Sequence, residues 1–239
     1  MKITIINGTE QRGCTYQIKE QFLAAMGDGH TVTEYYLPKD CPVFCTGCKA
    51  CFFQGIRVCP HARHTVPIWE SILLSDLLVF SSPVYAFHTT GQMKALLDHF
   101  ASKWMSHSPE GAMFKKQAVI LVNGIGQGMG KTARDIADSL DFWGVARTYI
   151  VKHALFQAKW ELVSDKTKES VTRKCANAAR KVKAAKNIKP RLKTRALFFI
   201  MKLAQKMIDK SERKAGRPRT ADYLHWEKNG WIDGGKPWR

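Results

Sequence analysis

Residues 77–94 have the sequence LLVFSSPVYAFHTTGQMK, in which a short apolar run is followed by turn-forming, aromatic and small polar residues. The run Leu77–Ser81 lacks polar alternation, which is typical of a parallel strand covered by helices on both faces. Gln92–Trp104 then has the apolar spacing of an amphipathic helix. A strand, a loop and a helix in this order indicate one unit of an α/β sheet.

Four further β-like runs alternate with helical stretches in the first part of the chain. The predicted strands are Lys2–Ile6, Thr31–Tyr36, Ala118–Val122 and Arg147–Val151, and further helices are predicted at Thr15–Met26 and Thr132–Trp143. The alternation predicts a doubly wound, five-stranded parallel sheet. Because such sheets bind ligands at the carboxyl ends of their strands, the loops after the strands are the candidate site.

Charge is distributed unevenly along the 239 residues. The formal net charge is +18, but residues 1–151 carry 14 basic and 12 acidic side chains, whereas residues 152–239 carry 24 basic and 8 acidic ones. We therefore predict an α/β domain at 1–151 and a basic helical C-terminal extension at 152–239. The hydrophobic content of 45% excludes a disordered chain. The longest apolar run, Ala196–Met201, is too short for a transmembrane helix.

Three loops at predicted strand ends carry candidate ligand residues. Gly8–Thr15 (GTEQRGCT) combines glycines and hydroxyls with a helix N-terminus, which favours phosphate binding, although Thr15 also suits a simple helix cap. The loop after Leu77–Ser81 offers aromatic side chains to a flat ligand or to a neighbouring subunit. Asn123–Thr132 (NGIGQGMGKT) misses the P-loop spacing by one residue, and its four glycines predict close backbone approach to a planar ligand.

Together these loops resemble the flavodoxin-like NADPH-dependent FMN reductase superfamily. Asn7–Thr15 is similar to that family's N-G-S-P-R-K-G-S-T, although Glu10, Gln11 and Cys14 depart from it, and Ser82–Tyr85 (SPVY) and Gly91–Lys94 (GQMK) match its motifs. The resemblance covers residues 1–155 and implies a flavodoxin-like fold with non-covalently bound FMN. FMN itself accepts hydride from NAD(P)H, so no catalytic side chain is assigned.

The resemblance also implies which residues bind FMN. The residues implied for the phosphate are Thr9, Arg12, Gly13, Cys14 and Thr15. Those implied to border the isoalloxazine ring are Pro83, Val84, Tyr85, Ala86, Phe87, Asn123, Gly124, Ile125 and Gly126.

Four of the seven cysteines lie within fifteen residues, as Cys45, Cys48, Cys51 and Cys59 in the pattern C-x2-C-x2-C-x7-C. Four nearby thiolates, the last followed by proline, suit a four-iron four-sulfur cluster. Zinc completed by His61 or His64, a redox-active dithiol and buried free thiols are the alternatives. The spacing resembles that of the iron–sulfur flavoprotein branch of the superfamily, which implies one-electron exchange with partners such as ferredoxin.

The basic extension contains two predicted helices, Val163–Lys186 and a second one after Pro190. The second helix has an apolar stripe bordered by basic residues, formed by Leu192, Ala196, Phe199, Leu203 and Met207. We expect the stripe to dock on the core or on a second subunit. Peripheral contact with an anionic membrane is an alternative, and nucleic-acid binding through residues 214–219 is a weaker one. The aromatic segment Gly216–Arg239 is expected to pack against the rest of the chain.

These features predict an FMN-dependent oxidoreductase that transfers electrons from NAD(P)H or ferredoxin to a small acceptor. The N-terminal residues lack the pattern of a secretory signal, so we expect a cytoplasmic protein. The aromatic loops lead us to expect a homo-oligomer. The alternative function is that of a flavodoxin-like scaffold without cofactor, which binds nucleic acid or a membrane surface.

Overall fold

A computed structural model describes residues 1–239 of the chain. Five parallel strands form one sheet in the order β2-β1-β3-β4-β5. Their bounds are β1 (Lys2–Asn7), β2 (Thr31–Tyr36), β3 (Leu77–Pro83), β4 (Gln117–Gly124) and β5 (Arg147–Ala154). All five predicted strands are present, and the strand order is that of a flavodoxin-like doubly wound sheet. The predicted fold class is therefore confirmed.

Eight α-helices accompany the sheet. They are α1 (Cys14–Met26), α2 (Ala50–Gln54), α3 (Ala62–Leu74), α4 (Gly91–His99), α5 (Met129–Trp143), α6 (Asp165–Ala184), α7 (Leu192–Lys214) and α8 (Ala221–Lys228). The predicted helix Gln92–Trp104 is too long, because α4 ends at His99 and a 3-10 turn follows at Ala101–Lys103. None of the helices is long and apolar enough to cross a membrane.

Helices cover both faces of the sheet, and the buried side chains of the strands alternate between two apolar clusters. Ile6 and Phe80 face a cluster that contains residues of α3, α4 and α5. Ile5 and Val79 face the opposite cluster, which α1 and α6 complete. These two layers explain why the central strands β1, β3 and β4 are almost entirely apolar.

The C-terminal extension divides into two differently packed parts. Helix α6 contributes Val171 and Cys175 to the same apolar cluster as Phe22 of α1. Helices α7 and α8 form a third cluster with Phe114, in which the rings of Phe198 and Trp226 stack at 4.8 Å. The expected packing of the aromatic C-terminal segment is therefore confirmed.

The buried side of α7 is not the predicted one. Its buried residues are Thr194, Phe198, Gln205 and Asp209. The apolar stripe that begins at Leu192 lies on the opposite side, where Leu203 and Met207 are exposed. The expectation that this stripe docks on the core of the same chain is therefore wrong.

Candidate functional site

The carboxyl edge of the sheet brings the loops of β1, β3, β4 and β5 together. The amide of Gly8 donates to the carbonyl of Ser81 at 2.7 Å, and the Thr90 hydroxyl donates to the carbonyl of Gly8 at 2.7 Å. Val84 N donates to the Asn123 carbonyl at 2.8 Å, and Leu155 N donates to that of Gly124 at 3.1 Å. The loops after neighbouring strands therefore form one hydrogen-bonded rim.

The loop after β1 leads into the N-terminus of α1, which has unpaired backbone hydrogen-bond donors. Gly13 precedes α1 and supplies no side-chain cap, and the first turn contains no acidic residue. The amides of Cys14, Thr15 and Tyr16 donate to no acceptor in the protein. Free amides and the helix dipole favour an anion at this position. Glu10, the unfavourable charge in this loop, is exposed.

An ion pair with a buried lysine links the two elements that flank this loop, β1 and α1. The side chain of Lys19 in α1 has no solvent exposure, and its Nζ lies 2.7 Å from Glu34 Oε2 in β2. Burial lowers the pKa of Lys19, but the hydrogen bonds and charges of Glu20 and Glu34 outweigh burial and leave this pKa raised. Asn7 at the end of β1 donates to Glu34 at 3.1 Å. The pair thus joins the end of β1, helix α1 and the edge strand.

The loop after β3 is a tight turn that presents aromatic side chains. The backbones of Tyr85 and His88 exchange hydrogen bonds at 2.9 and 3.0 Å, and Ala86 and Phe87 have positive φ angles of 46° and 67°. Non-glycine residues adopt this conformation only when their surroundings impose it. Tyr85 and Phe87 are about half exposed, so their rings border the rim.

Asp135 of α5 holds this turn from below and was not identified in the sequence. Its carboxylate accepts from the amide of Thr89 at 3.0 Å and lies 3.0 Å from Nδ1 of His88. Asp135 looked like any other polar residue of an amphipathic helix, so no sequence signal distinguished it. It is a positioning residue, because it fixes the turn that carries Tyr85 and Phe87.

The glycines after β4 allow close approach between two loops. A Cβ on Gly124 would lie 2.9 Å from a Val84 methyl group. Gly128 has a φ of +80°, and a Cβ there would lie 2.7 Å from Phe87 Cα. These glycines were predicted to allow close approach to a planar ligand. At Gly124 and Gly128, however, the close neighbour is the loop after β3.

Residues 123–126, predicted to border the flavin, also lie at this rim. Asn123 Oδ1 is buried and has no hydrogen-bond partner in the protein. Ile125 is three-quarters exposed, and Gly126 faces the ring of Phe156, which follows β5. The unpaired acceptor of Asn123 and the unpaired amides of α1 are groups that a flavin with a phosphate can satisfy. The residues present therefore fit FMN.

The four motif cysteines lie near one another on the segment before α3. Cys45 and Cys48 are exposed, and Cys51 and Cys59 are half-buried. Burial raises the pKa of Cys51, and the other three motif thiols raise it further, against a hydrogen bond from Ser102 that lowers it. Cys59 is the one motif cysteine that belongs to a group of three or more potential ligand atoms within 4.8 Å of one another.

Two histidines lie beside the last motif cysteine. The possible ligand atoms of Cys59, His61 and His99 all lie within 4.8 Å of one another. Burial lowers the pKa of His99 and keeps its imidazole neutral, as metal binding requires. His61 was predicted as a possible ligand, but His99, which follows Cys59 by forty residues and ends α4, was not. His64, the other predicted candidate, is outside this group.

The two remaining cysteines are buried in apolar surroundings. Burial raises the pKa of Cys175 to about 12, and it also raises the pKa of Cys41. Cys175 lies between α6 and α1, where its thiol contacts the carbonyl of Ile18 at 3.6 Å. A protonated thiol in such a position packs as a small apolar group.

Solved structures with the same architecture include several oxidoreductases. An azoreductase from Bacillus anthracis is 15% identical and superposes with a TM-score of 0.58, covering 76% of this chain and 98% of that chain. An NADH:FMN oxidoreductase in its apo form is 17% identical, with a TM-score of 0.55 and coverage of 79% and 94%. An oxidoreductase from Corynebacterium diphtheriae is 18% identical, with a TM-score of 0.56 and coverage of 76% and 93%. At these identities the similarity shows the fold.

A sequence profile decides the family. The profile of NADPH-dependent FMN reductases matches residues 1–159, which include every loop of the rim. No functionally curated protein matches the chain. The profile confirms the resemblance seen in the motifs. It also favours an enzyme over the alternative of a flavodoxin-like scaffold without cofactor. The chain belongs to the NADPH-dependent FMN reductase family and is a flavin-dependent NAD(P)H oxidoreductase.

Proposed function

We propose that this reductase contains two redox centres, FMN at the rim and an iron–sulfur cluster on Cys45, Cys48, Cys51 and Cys59. The observation that supports both is helix α4, which connects them. Thr90, whose hydroxyl contacts the β1 loop, caps the start of α4, and His99 beside Cys59 ends it. A nine-residue helix spans only about 12 Å. Two centres at its ends are close enough to work together.

The rim residues would bind and orient FMN. Thr9, Arg12, Gly13, Cys14 and Thr15 would hold the phosphate, through the free amides of α1 and the exposed guanidinium of Arg12. The residues that would border the ring are Pro83, Val84, Tyr85, Ala86, Phe87, Asn123, Gly124, Ile125 and Gly126. FMN supplies the chemistry by accepting a hydride from NAD(P)H. The protein supplies binding, orientation and exclusion of water.

A cluster beside FMN would allow exchange with one-electron partners. NAD(P)H delivers two electrons at once, whereas an iron–sulfur cluster transfers one at a time, so the cluster would let a one-electron donor such as ferredoxin reduce FMN in place of NAD(P)H. We propose a small molecule as the final electron acceptor. Exposed Cys45 and Cys48 stay reduced in the cytoplasm, where we place the protein.

Exposed aromatic and apolar side chains at the rim support a homo-oligomer. Tyr85, Phe87, Ile125 and Phe156 are each between about half and three-quarters exposed. A second subunit placed over them would bury these side chains and exclude water from the flavin. Sedimentation of the FMN-loaded enzyme tests this assembly, and a monomer at micromolar concentration would contradict it.

Zinc is the second candidate for the cysteine segment, and the group Cys59, His61 and His99 favours it. A mixed set of one thiolate and two imidazoles, completed by another motif cysteine, is a common zinc site. Iron and zinc contents of the purified protein distinguish the two candidates. The variant His99→Ala would lose bound metal if zinc is present, but it would retain an all-cysteine cluster.

A visible spectrum tests the proposed function directly. We expect flavin bands together with a broad absorbance that dithionite bleaches. Cys48→Ser should remove the broad absorbance and its iron while leaving the flavin bands unchanged. Thr46→Ala, at an exposed position between Cys45 and Cys48, is the matched control and should keep both. An iron-free protein, or an unchanged spectrum in Cys48→Ser, would disprove the cluster, and failure to bind FMN would disprove the proposed site.

A further inference from the structure

Helix α7 presents an unpartnered apolar face to solvent. Leu192, Leu203 and Met207 are 80%, 60% and 63% exposed, and Ile200 and Phe199 lie beside them. These positions recur at helical spacing, so they form one continuous stripe over four turns. The opposite face is already occupied, because Phe198 packs in the third apolar cluster and Gln205 donates to the Ser106 carbonyl at 2.8 Å. Of the stripe, only Phe199 contacts the rest of the chain, through the ring of Trp238, so Leu192, Leu203 and Met207 do little to hold α7 in place.

Positive charge borders the stripe, and negative charge is absent from it. Seven of the 23 residues of α7 are Lys or Arg. Its two acidic residues are engaged elsewhere: Asp209 is buried 3.4 Å from Arg219, and Glu212 pairs with Arg217. Lys202 and Lys206 make no ion pair; Lys236 and the carboxylate of Asp233 both lie near Lys202, so this border carries three positive charges against one negative charge. A partner for this face must be apolar in the middle and anionic at the border.

We propose that the outer face of α7 binds the surface of an anionic lipid bilayer. The stripe would enter the boundary between headgroups and acyl chains, with the helix axis parallel to the membrane. Lysine side chains beside it are long enough to keep their ammonium groups among the lipid phosphates. Helix α7 cannot cross a bilayer, so the contact is peripheral.

A second copy of this chain fits the same face less well. A symmetric dimer places a surface against its own copy. The basic borders of two α7 helices would then face each other, and neither helix has a free carboxylate to offer. An anionic bilayer satisfies both the stripe and its border.

Flotation of the FMN-loaded, full-length enzyme with vesicles tests the proposal. Vesicles of equal parts phosphatidylglycerol and phosphatidylcholine should carry the protein, and vesicles of phosphatidylcholine alone should not. Leu203→Ser should weaken the partition coefficient about tenfold, because it removes an apolar side chain from the acyl boundary. Lys202→Gln with Lys206→Gln should weaken it and reduce its dependence on salt. NADH oxidation should be unchanged in all variants.

Leu162→Ser provides the matched control, since Leu162 is 64% exposed but lies outside α7. It should bind vesicles like the unaltered protein. Vesicle binding that is insensitive to Leu203→Ser would overturn the proposal, even if the lysine variants weaken binding, because charge alone would then explain it. A dimer that Leu203→Ser dissociates, with no change in vesicle binding, would identify a second copy as the occupant instead.

Discussion

Gly128 shows how one residue without a side chain allows two loops of the rim to lie at contact distance. Its φ of +80° is a conformation that side chains rarely adopt, and a Cβ would lie 2.6 Å from a Val84 methyl group. The backbone of Phe87 is equally close and cannot rotate away. Two independent constraints therefore favour glycine at position 128: its positive φ angle and the lack of room for a Cβ atom.

Gly128→Ala should displace the β3 turn that carries Tyr85 and Phe87. We expect FMN affinity to fall about tenfold or more, and the free energy of unfolding to fall by about 1–3 kcal/mol, because strain and overlap add. Titration of the apoprotein with FMN and urea unfolding measure the two effects.

Gly130→Ala is the matched control for this variant. No atom lies within 4 Å of its Cβ position, and Gly130 lies in α5 with an ordinary helical φ. Alanine there should leave FMN affinity unchanged and raise stability by about 0.5–1 kcal/mol. Equal FMN affinity in both variants would show that the contact between the loops does not support the site.

At the scale of elements, the regular part of the fold could be predicted and the short helices could not. The central strands β1, β3 and β4 are nearly continuous apolar runs, and the edge strands β2 and β5 are partly polar but rich in Thr, Val, Ile and Tyr, so the sequence indicates all five. Helix α3 was not predicted, because Pro67 interrupts its sequence, although Ile68 and Ile72 have helical spacing. The eight residues of α8 follow a threonine cap at Thr220, a weak signal beside so many turn formers.

Helix α7 was predicted in place but not in orientation. Sequence periodicity finds an apolar stripe, and the usual inference is that the stripe is buried. Here the buried face is narrow, since a few aromatic residues of the third cluster suffice to hold the helix, while the longer stripe faces outward. Periodicity cannot distinguish a face that packs on the protein from one that packs on something else.

Phe198→Ala tests this assignment of faces. Phe198 is fully buried against Phe114 and Trp226, so its truncation should cost about 3–5 kcal/mol within the extension. Ile200→Ala, at a position 58% exposed, should cost less than about 1 kcal/mol. Hydrogen exchange should show lost protection in α7 and α8 of the first variant, with α1 unaffected. Similar losses in the two variants would contradict the observed orientation of α7.

At the scale of the molecule, the motifs predicted the rim because each of them directly follows a strand. Asp135 and His99 escaped notice because they are brought to their sites by folding, from positions with no local signal. The charge pattern likewise located the basic C-terminal extension, but it did not show that the extension consists of two differently packed parts. Helix α6 shares a core with α1, whereas α7 and α8 share one with Phe114. We therefore propose that the flavin domain extends through α6.

Two shortened chains test where the flavin domain ends. The boundary at residue 151 predicts that residues 1–151 fold alone, whereas the shared core predicts that the domain needs residues 1–185. Loss of α6 uncovers Ile18 and Phe22 and removes Val171, Cys175 and Val182. At about 1–3 kcal/mol for each large apolar side chain, this loss approaches the whole stability of an ordinary domain.

We therefore expect the chain of residues 1–151 to be insoluble or unfolded. The chain of residues 1–185 should be folded, bind FMN and oxidise NAD(P)H, with a lower Tm because Phe114 loses Phe198, Trp226 and Trp231 as neighbours. Circular dichroism, FMN titration and turnover measure these properties. The chain of residues 1–185 also lacks 15 basic and 5 acidic side chains, so it should no longer float with anionic vesicles. A folded, FMN-binding chain of residues 1–151 would place the boundary at the change of charge instead, and α6 would then belong to the extension.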